Sequence, residues 1–82
     1  MKERPKAPTA RLLLGANILE LRTSLGLSQE KLSEIAGFHR SYISQVERGL
    51  VNVTVDNIQR VADSLSVPVA RLFKSPDTKS GC

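Results

Sequence analysis

The chain has 82 residues, 40% of them apolar, with a net charge of +4 and a pI near 9.7. That is one small domain whose core must be almost wholly aliphatic, since there are two Phe, one Tyr and no Trp. The single cysteine, Cys82, excludes an internal disulfide and a cysteine-clustered zinc site.

Residues 1–9, MKERPKAPT, hold two prolines and no periodicity, and are expected to form a flexible arm. Lys2, Arg4 and Lys6, with Arg11 just beyond, face only Glu3, so the positive excess is concentrated here. Basicity alone is compatible with DNA, RNA, acidic lipid or no polyanion at all. From about Ala10 the pattern turns helical, with Leu14, Ile18, Leu21 and Leu25 at alternating spacings of four and three. Gly26 then suits a helix stop. Ser28 is placed to cap QEKLSEIA, in which Leu32, Ile35 and Ala36 are expected to be buried. After Gly37 a third helix is expected from about Arg40 to Arg48, closed by Gly49. LVNV is a connector, and its alternation with TV gives a lone strand nothing to pair with. Thr54 can cap a fourth helix with Val55, Ile58, Val61, Ala62 and Leu65 as its apolar set, and Pro68 suits the start of a short fifth ending near Phe73.

The expected fold is therefore all-α, a compact bundle of five short helices over residues 10–74, with 75–82 a disordered tail in which Cys82 is an inert thiol. No apolar run approaches the ~18 residues of a membrane span. RLLLGA is too short for a signal-peptide core, so a cytoplasmic location is expected.

Helices two and three are separated by about three residues around Gly37–Phe38–His39, the spacing of a helix-turn-helix. A short αα turn occurs in many small bundles, so the faces of helix three carry the argument further. At 100° per residue, Ile43, Val46, Glu47 and His39 share one side, Ser41, Ser44, Gln45 and Arg48 the other, and Arg40 and Tyr42 flank them. Solvated helix faces favour Lys and Glu. This one offers arginines, an amide and hydroxyls, the groups whose geometry matches base edges and phosphates. Glu47 faces the core and needs a partner. Arg22, on the flank of the first helix's apolar stripe, is expected to supply it.

The segment LRTSLGLSQEKLSEIAGFHRSYISQVERG resembles the helix-turn-helix domain of lambda-type repressors and Cro proteins. HRSYISQVERG followed by NVTV looks still more like the controller proteins of restriction–modification systems. The resemblance spans about residues 12–73. Gly37 and Ile43 match the turn and core positions, Arg22 and Glu47 a buried ion pair, and Ser33 stands where alanine is usual. What it implies is a regulator that lays helix three in the major groove of double-stranded DNA. Arg40 would be the main base reader, with Ser41, Ser44 and Gln45 secondary. Gln29, Tyr42, Arg48 and Asn52 would hold phosphates, with a partly buried core role as the alternative for Tyr42. His39 would cap the helix. The arm would touch the DNA backbone or minor groove, or else remain solvated.

Two-fold dimers reading half-sites of a pseudo-palindromic operator are the usual solution for a domain this small. The fifth helix (Val69, Leu72, Phe73) is the expected interface, with Phe73 its foremost residue; the alternative is that all three are core, Leu72 first among them. An antitoxin that binds a toxin and represses its own operon is the second reading; no segment of the sequence indicates a toxin partner. No cofactor, metal site or catalytic residue is expected, because the single His and the single Cys lie far apart and no carboxylate pair has a supporting base.

Overall fold

A computed structural model describes residues 9–75. The expected arm, apart from Thr9, and the expected tail with Cys82, apart from Ser75, lie outside the described residues. Thr9 caps α1 (Ala10–Ser24), its hydroxyl accepting from the Leu12 N–H at 3.2 Å. The helix closes with two turn bonds, Leu27 N–H to the Arg22 carbonyl at 2.9 Å and Gly26 N–H to Thr23 at 3.0 Å. Ser28 and Thr54 cap α2 (Gln29–Ala36) and α4 (Val55–Leu65) by accepting from Lys31 and Asn57 N–H groups. Between them lies α3 (Arg40–Glu47). Each cap gives an amide of the first helical turn a partner within the chain that it would otherwise lack.

α1 packs on α3 and on the C-terminal segment, and α2 packs on α3 and α4. The core they enclose is Leu14, Ile18, Leu32, Ile43, Val46, Val61, Ala62, Leu65 and Leu72. The alternating connector is not a strand. Val51 and Val53 lay their side chains on this core while Leu50 stays exposed. Among the described residues no helix is long and apolar enough to cross a membrane.

Three expected core positions are exposed. Ile35 is 50% accessible, and Ser33 takes its place beside Leu32 and Ala36. Ser33 and Ala36 lie about 100° and 40° round from Leu32, so the buried arc is centred away from Ile35, about 60° on the other side. The Ser33 hydroxyl donates to the Glu30 carbonyl at 2.7 Å, which satisfies it without water. Leu25 is exposed because α1 has already ended there. Val55, 77% accessible, sits at the first position of α4, a full turn before Ile58.

The fifth helix is a 3₁₀ segment, Val69–Phe73, rather than an α-helix. Five residues are too few for a ladder of i→i−4 bonds, and the Arg71 N–H bonds Pro68 three residues back at 3.0 Å. Side-chain bonds hold it instead. Buried Asn17 donates from Nδ2 to the carbonyls of Leu72 and Lys74, each at 3.0 Å, and its Oδ1 accepts from Arg71 Nη1 at 2.9 Å. Asn17→Ala leaves those carbonyls without their side-chain partner and the guanidinium with only its 3.6 Å ion pair to Glu20. We expect a loss of about 1–3 kcal/mol in denaturant unfolding, with faster amide exchange confined to residues 69–74.

Candidate nucleic-acid interface

The turn between α2 and α3 is built on Gly37, whose φ of 84° lies in the left-handed region that only glycine enters cheaply. Its N–H and that of Phe38 both bond the Ser33 carbonyl at 2.8 Å, so the chain reverses within one residue of the end of α2. His39 occupies the N-cap position of α3 with extended backbone, but its imidazole makes no capping bond. The expected side-chain cap is therefore absent, and the entry into α3 is held by other means.

Those means come from α4. Arg60 Nη2 donates to the Ala36 carbonyl at 2.9 Å and to that of Gly37 at 3.2 Å, two acceptors that α2 leaves open at its end. The same guanidinium lies 4.3 Å from the Phe38 ring centroid. Phe38 in turn stacks at a tilt on Tyr42, 4.9 Å between centroids, and the Tyr42 oxygen accepts from Asn57 Nδ2 at 3.1 Å. Neither Arg60 nor Asn57 stood out in the sequence, because a polar residue on a helix carries no mark of the distant group it will reach.

The C-terminal end of α3 is fastened by Glu47. Arg22 Nε and Nη2 donate to its two carboxylate oxygens at 2.6 and 3.0 Å, and Gln29 Nε2 adds a third bond at 3.0 Å. The side chains are only 11% and 4% exposed. Arg22 Nη1 spends its own proton on the Leu27 carbonyl, so the guanidinium ties three segments together. Ile43 and Val46 complete the inner face of α3, both buried.

The outer face is open. Arg40, Ser41, Gln45 and Arg48 are exposed, and Ser44 is half-buried at their edge. Tyr42 is half-buried with its ring on the core, yet its hydroxyl proton is free to be donated outward, since the bond from Asn57 uses only the oxygen. Gln29 lies at the start of α2 with its amide turned to Glu47, and one amide hydrogen is left over. Arg48 and Asn52 line a surface groove with Thr9 and Arg11 at the start of α1, which adds a cation to the same side. Of the residues expected at a dimer surface, Leu72 is completely buried in the core and is not available. Val69 and Phe73 are half-buried, Phe73 in a cleft with Leu14, Val53 and Ile58. Among the described residues no cluster of three His, Cys, Asp or Glu could hold a metal ion.

The helix-turn-helix family model HTH_3 matches residues 18–72. The chain belongs to this helix-turn-helix family. Among curated relatives, the control protein C.BamHI of Bacillus amyloliquefaciens is 45% identical over 58 residues, which is 70% of this chain and 72% of that protein. Among solved structures, the restriction–modification controller protein C.AhdI of Aeromonas hydrophila superposes with a TM-score of 0.74 at 44% identity, over 76% of this chain and 94% of its own. The biofilm regulator SinR, solved in complex with DNA, gives 0.70 at 34% identity over 74% and 98% of the two chains. The match takes in every element from the middle of α1 to the 3₁₀ segment, so the two anchors of α3 lie within the family's own domain.

Proposed function

We infer that this helix-turn-helix protein is a DNA-binding regulator of transcription, and we propose that it reads its operator with the outer face of α3. The supporting observation is the division of that helix. Ile43, Val46 and Glu47 are committed to the protein, while the side chains of Arg40, Ser41 and Gln45 are exposed and make no hydrogen bond among the described residues, which leaves them to meet base edges. Arg40, in the first turn, is the residue best placed for a bidentate contact with guanine. Ser44, at the edge, is a secondary reader with Ser41 and Gln45. Arg48 and Asn52, the spare hydrogen of Gln29 and the Tyr42 hydroxyl would hold phosphates on either side, which sets register without reading sequence.

We further propose a two-fold dimer on a pseudo-palindromic site, with Val69 and Phe73 at the edge of its interface. We propose a controller-like role, in keeping with the relatives that are named controller proteins, and with it regulation of its own operon. The test is binding to DNA directly upstream of its own reading frame, titrated against salt. Sequence preference with a steep salt slope supports the reading. No binding at low salt, or equal binding to scrambled DNA, rejects it. Arg40→Ala is expected to cost about 1–3 kcal/mol of operator binding and to relax discrimination at one base pair. Unchanged discrimination in a base-by-base competition would remove Arg40 from the reading set.

A further inference from the structure

We propose that Arg60 is a positioning residue for operator reading. It fixes the entry angle and rotation of α3 through Phe38 and Tyr42, without itself touching DNA. This rests on α3 being the reading helix.

Two ends of α3 need to be held if Arg40 is to meet a base edge reproducibly. The C-terminal end is held by Glu47 through Arg22 and Gln29. The N-terminal end, where Arg40 sits, has no local anchor, because His39 makes no side-chain cap. Its position is instead set from α4, by residues three apart and therefore on one face of that helix. Asn57 grips the Tyr42 oxygen, and Arg60 grips both the carbonyls of the turn and the ring of Phe38. The contact of Phe38 with Tyr42 closes the path, so turn, recognition helix and α4 form one continuous set of contacts. Only a planar guanidinium can lie over a ring and donate in its own plane to carbonyls at the same time. Its fit is close: a Cβ built on Gly37 would come within 2.5 Å of Arg60 Nη2. With Nη2 committed to the turn, Arg60 serves geometry. If it served affinity directly, it would do so as one more phosphate contact, and the two roles differ in their salt dependence.

The test uses the full chain and the duplex that the wild-type protein enriches from a random pool, with a scrambled duplex for comparison. Arg60→Gln and Arg60→Lys are measured below their melting temperatures, determined on the same samples. The expected result is a loss of operator affinity of about tenfold, comparable to one mismatched base pair. Scrambled-DNA affinity and the salt slope should stay at wild-type values, and lysine should recover little. Phe38→Leu keeps the apolar bulk and removes the stacking face. It should show the same pattern, and the double variant with Arg60→Gln should be no worse than the worse single one.

Equal losses on both duplexes, with the slope reduced by about 0.9, would make Arg60 a phosphate contact and overturn the proposal. Unchanged operator affinity in folded Arg60→Gln would also overturn it, as would strict additivity with Phe38→Leu. Failure of the wild-type protein to enrich any duplex is a different outcome, and it would remove the DNA reading itself together with this proposal.

Discussion

Arg22→Ala is expected to lower the unfolding free energy by about 3–5 kcal/mol. The alanine removes both bonds to Glu47 and the one to the Leu27 carbonyl, and leaves the carboxylate with Gln29 alone. A carboxylate 4% exposed cannot recover that loss from water. Domains of this size have only about 5–15 kcal/mol in total, so the variant should melt far below the wild type, by roughly 4–8 °C for each kcal/mol. An internal contrast is available. Lys31 and Glu34 also pair, but at 3.8 Å with both side chains about 60% exposed, and Lys31→Ala should change stability by less than about 0.5 kcal/mol. Replacing both partners apolarly, Arg22→Met with Glu47→Leu, should recover much of what the single alanine loses, because no charge is then stranded. A denaturant midpoint for Arg22→Ala close to that of Lys31→Ala would show that the pair is screened and that α3 is held by its apolar face alone.

The double apolar variant also separates stability from reading. It restores the packing of α3 but discards the directional bonds that fix the helix against α1 and α2. Operator discrimination should therefore stay below wild type even where the melt is recovered. This is the expected signature of a polar anchor kept for orientation more than for stability.

Why this anchor could be read from the sequence, and the one at the other end of α3 could not, has a physical basis. Glu47 was conspicuous because a carboxylate among core-facing positions demands a cation, and helical arithmetic placed Arg22 beside the apolar stripe of α1. The caps at Ser28 and Thr54 were equally legible, since an N-cap is decided within four residues. Arg60 was not, because its acceptors are carbonyls 23 and 24 residues away, and any helix end offers such carbonyls. Asn17 was hidden for the same reason, with partners 54 to 57 residues distant. The core was legible at the centre of each stripe and failed at the edges. Ile35, Leu25 and Val55 are apolar but lie off the buried arc or at a helix end, whereas Ser33 is polar and lies on it. Apolarity stands in for burial only where the neighbouring helix is known. Of the interface candidates Val69, Leu72 and Phe73, Leu72 is the one the core claims, which is the alternative left open for it, since nothing local says which side of a five-residue segment will be buried.

Gly15→Ala should cost about 3 kcal/mol, against the local preference of the helix. Alanine is favoured over glycine in a helix interior by about 1 kcal/mol, so propensity alone predicts a gain in this mid-α1 position. The added Cβ, however, would lie 2.6 Å from the Val46 carbonyl oxygen and 2.8 Å from the Glu47 carbonyl carbon. Both are main-chain atoms of the last turn of α3 and cannot rotate aside as a side chain can. α1 and α3 would have to separate by a few tenths of an ångström to about one ångström before the contact became ordinary. That separation pulls Ile43 and Val46 away from Leu14 and Ile18 and stretches the bonds from Arg22 to Glu47, which span the same two helices. Gly26→Ala is the control, because among the described residues nothing lies within 4 Å of a Cβ there and only the positive φ of 73° is strained, at about 1–2 kcal/mol. Gly15→Ala should therefore melt below Gly26→Ala, and should lose operator discrimination at temperatures where it is still folded. If Gly15→Ala proved more stable than wild type, α1 and α3 would have to be packed more loosely than their carbonyls indicate. The Glu47 anchor would then be flexible enough to accommodate a shift of the reading helix.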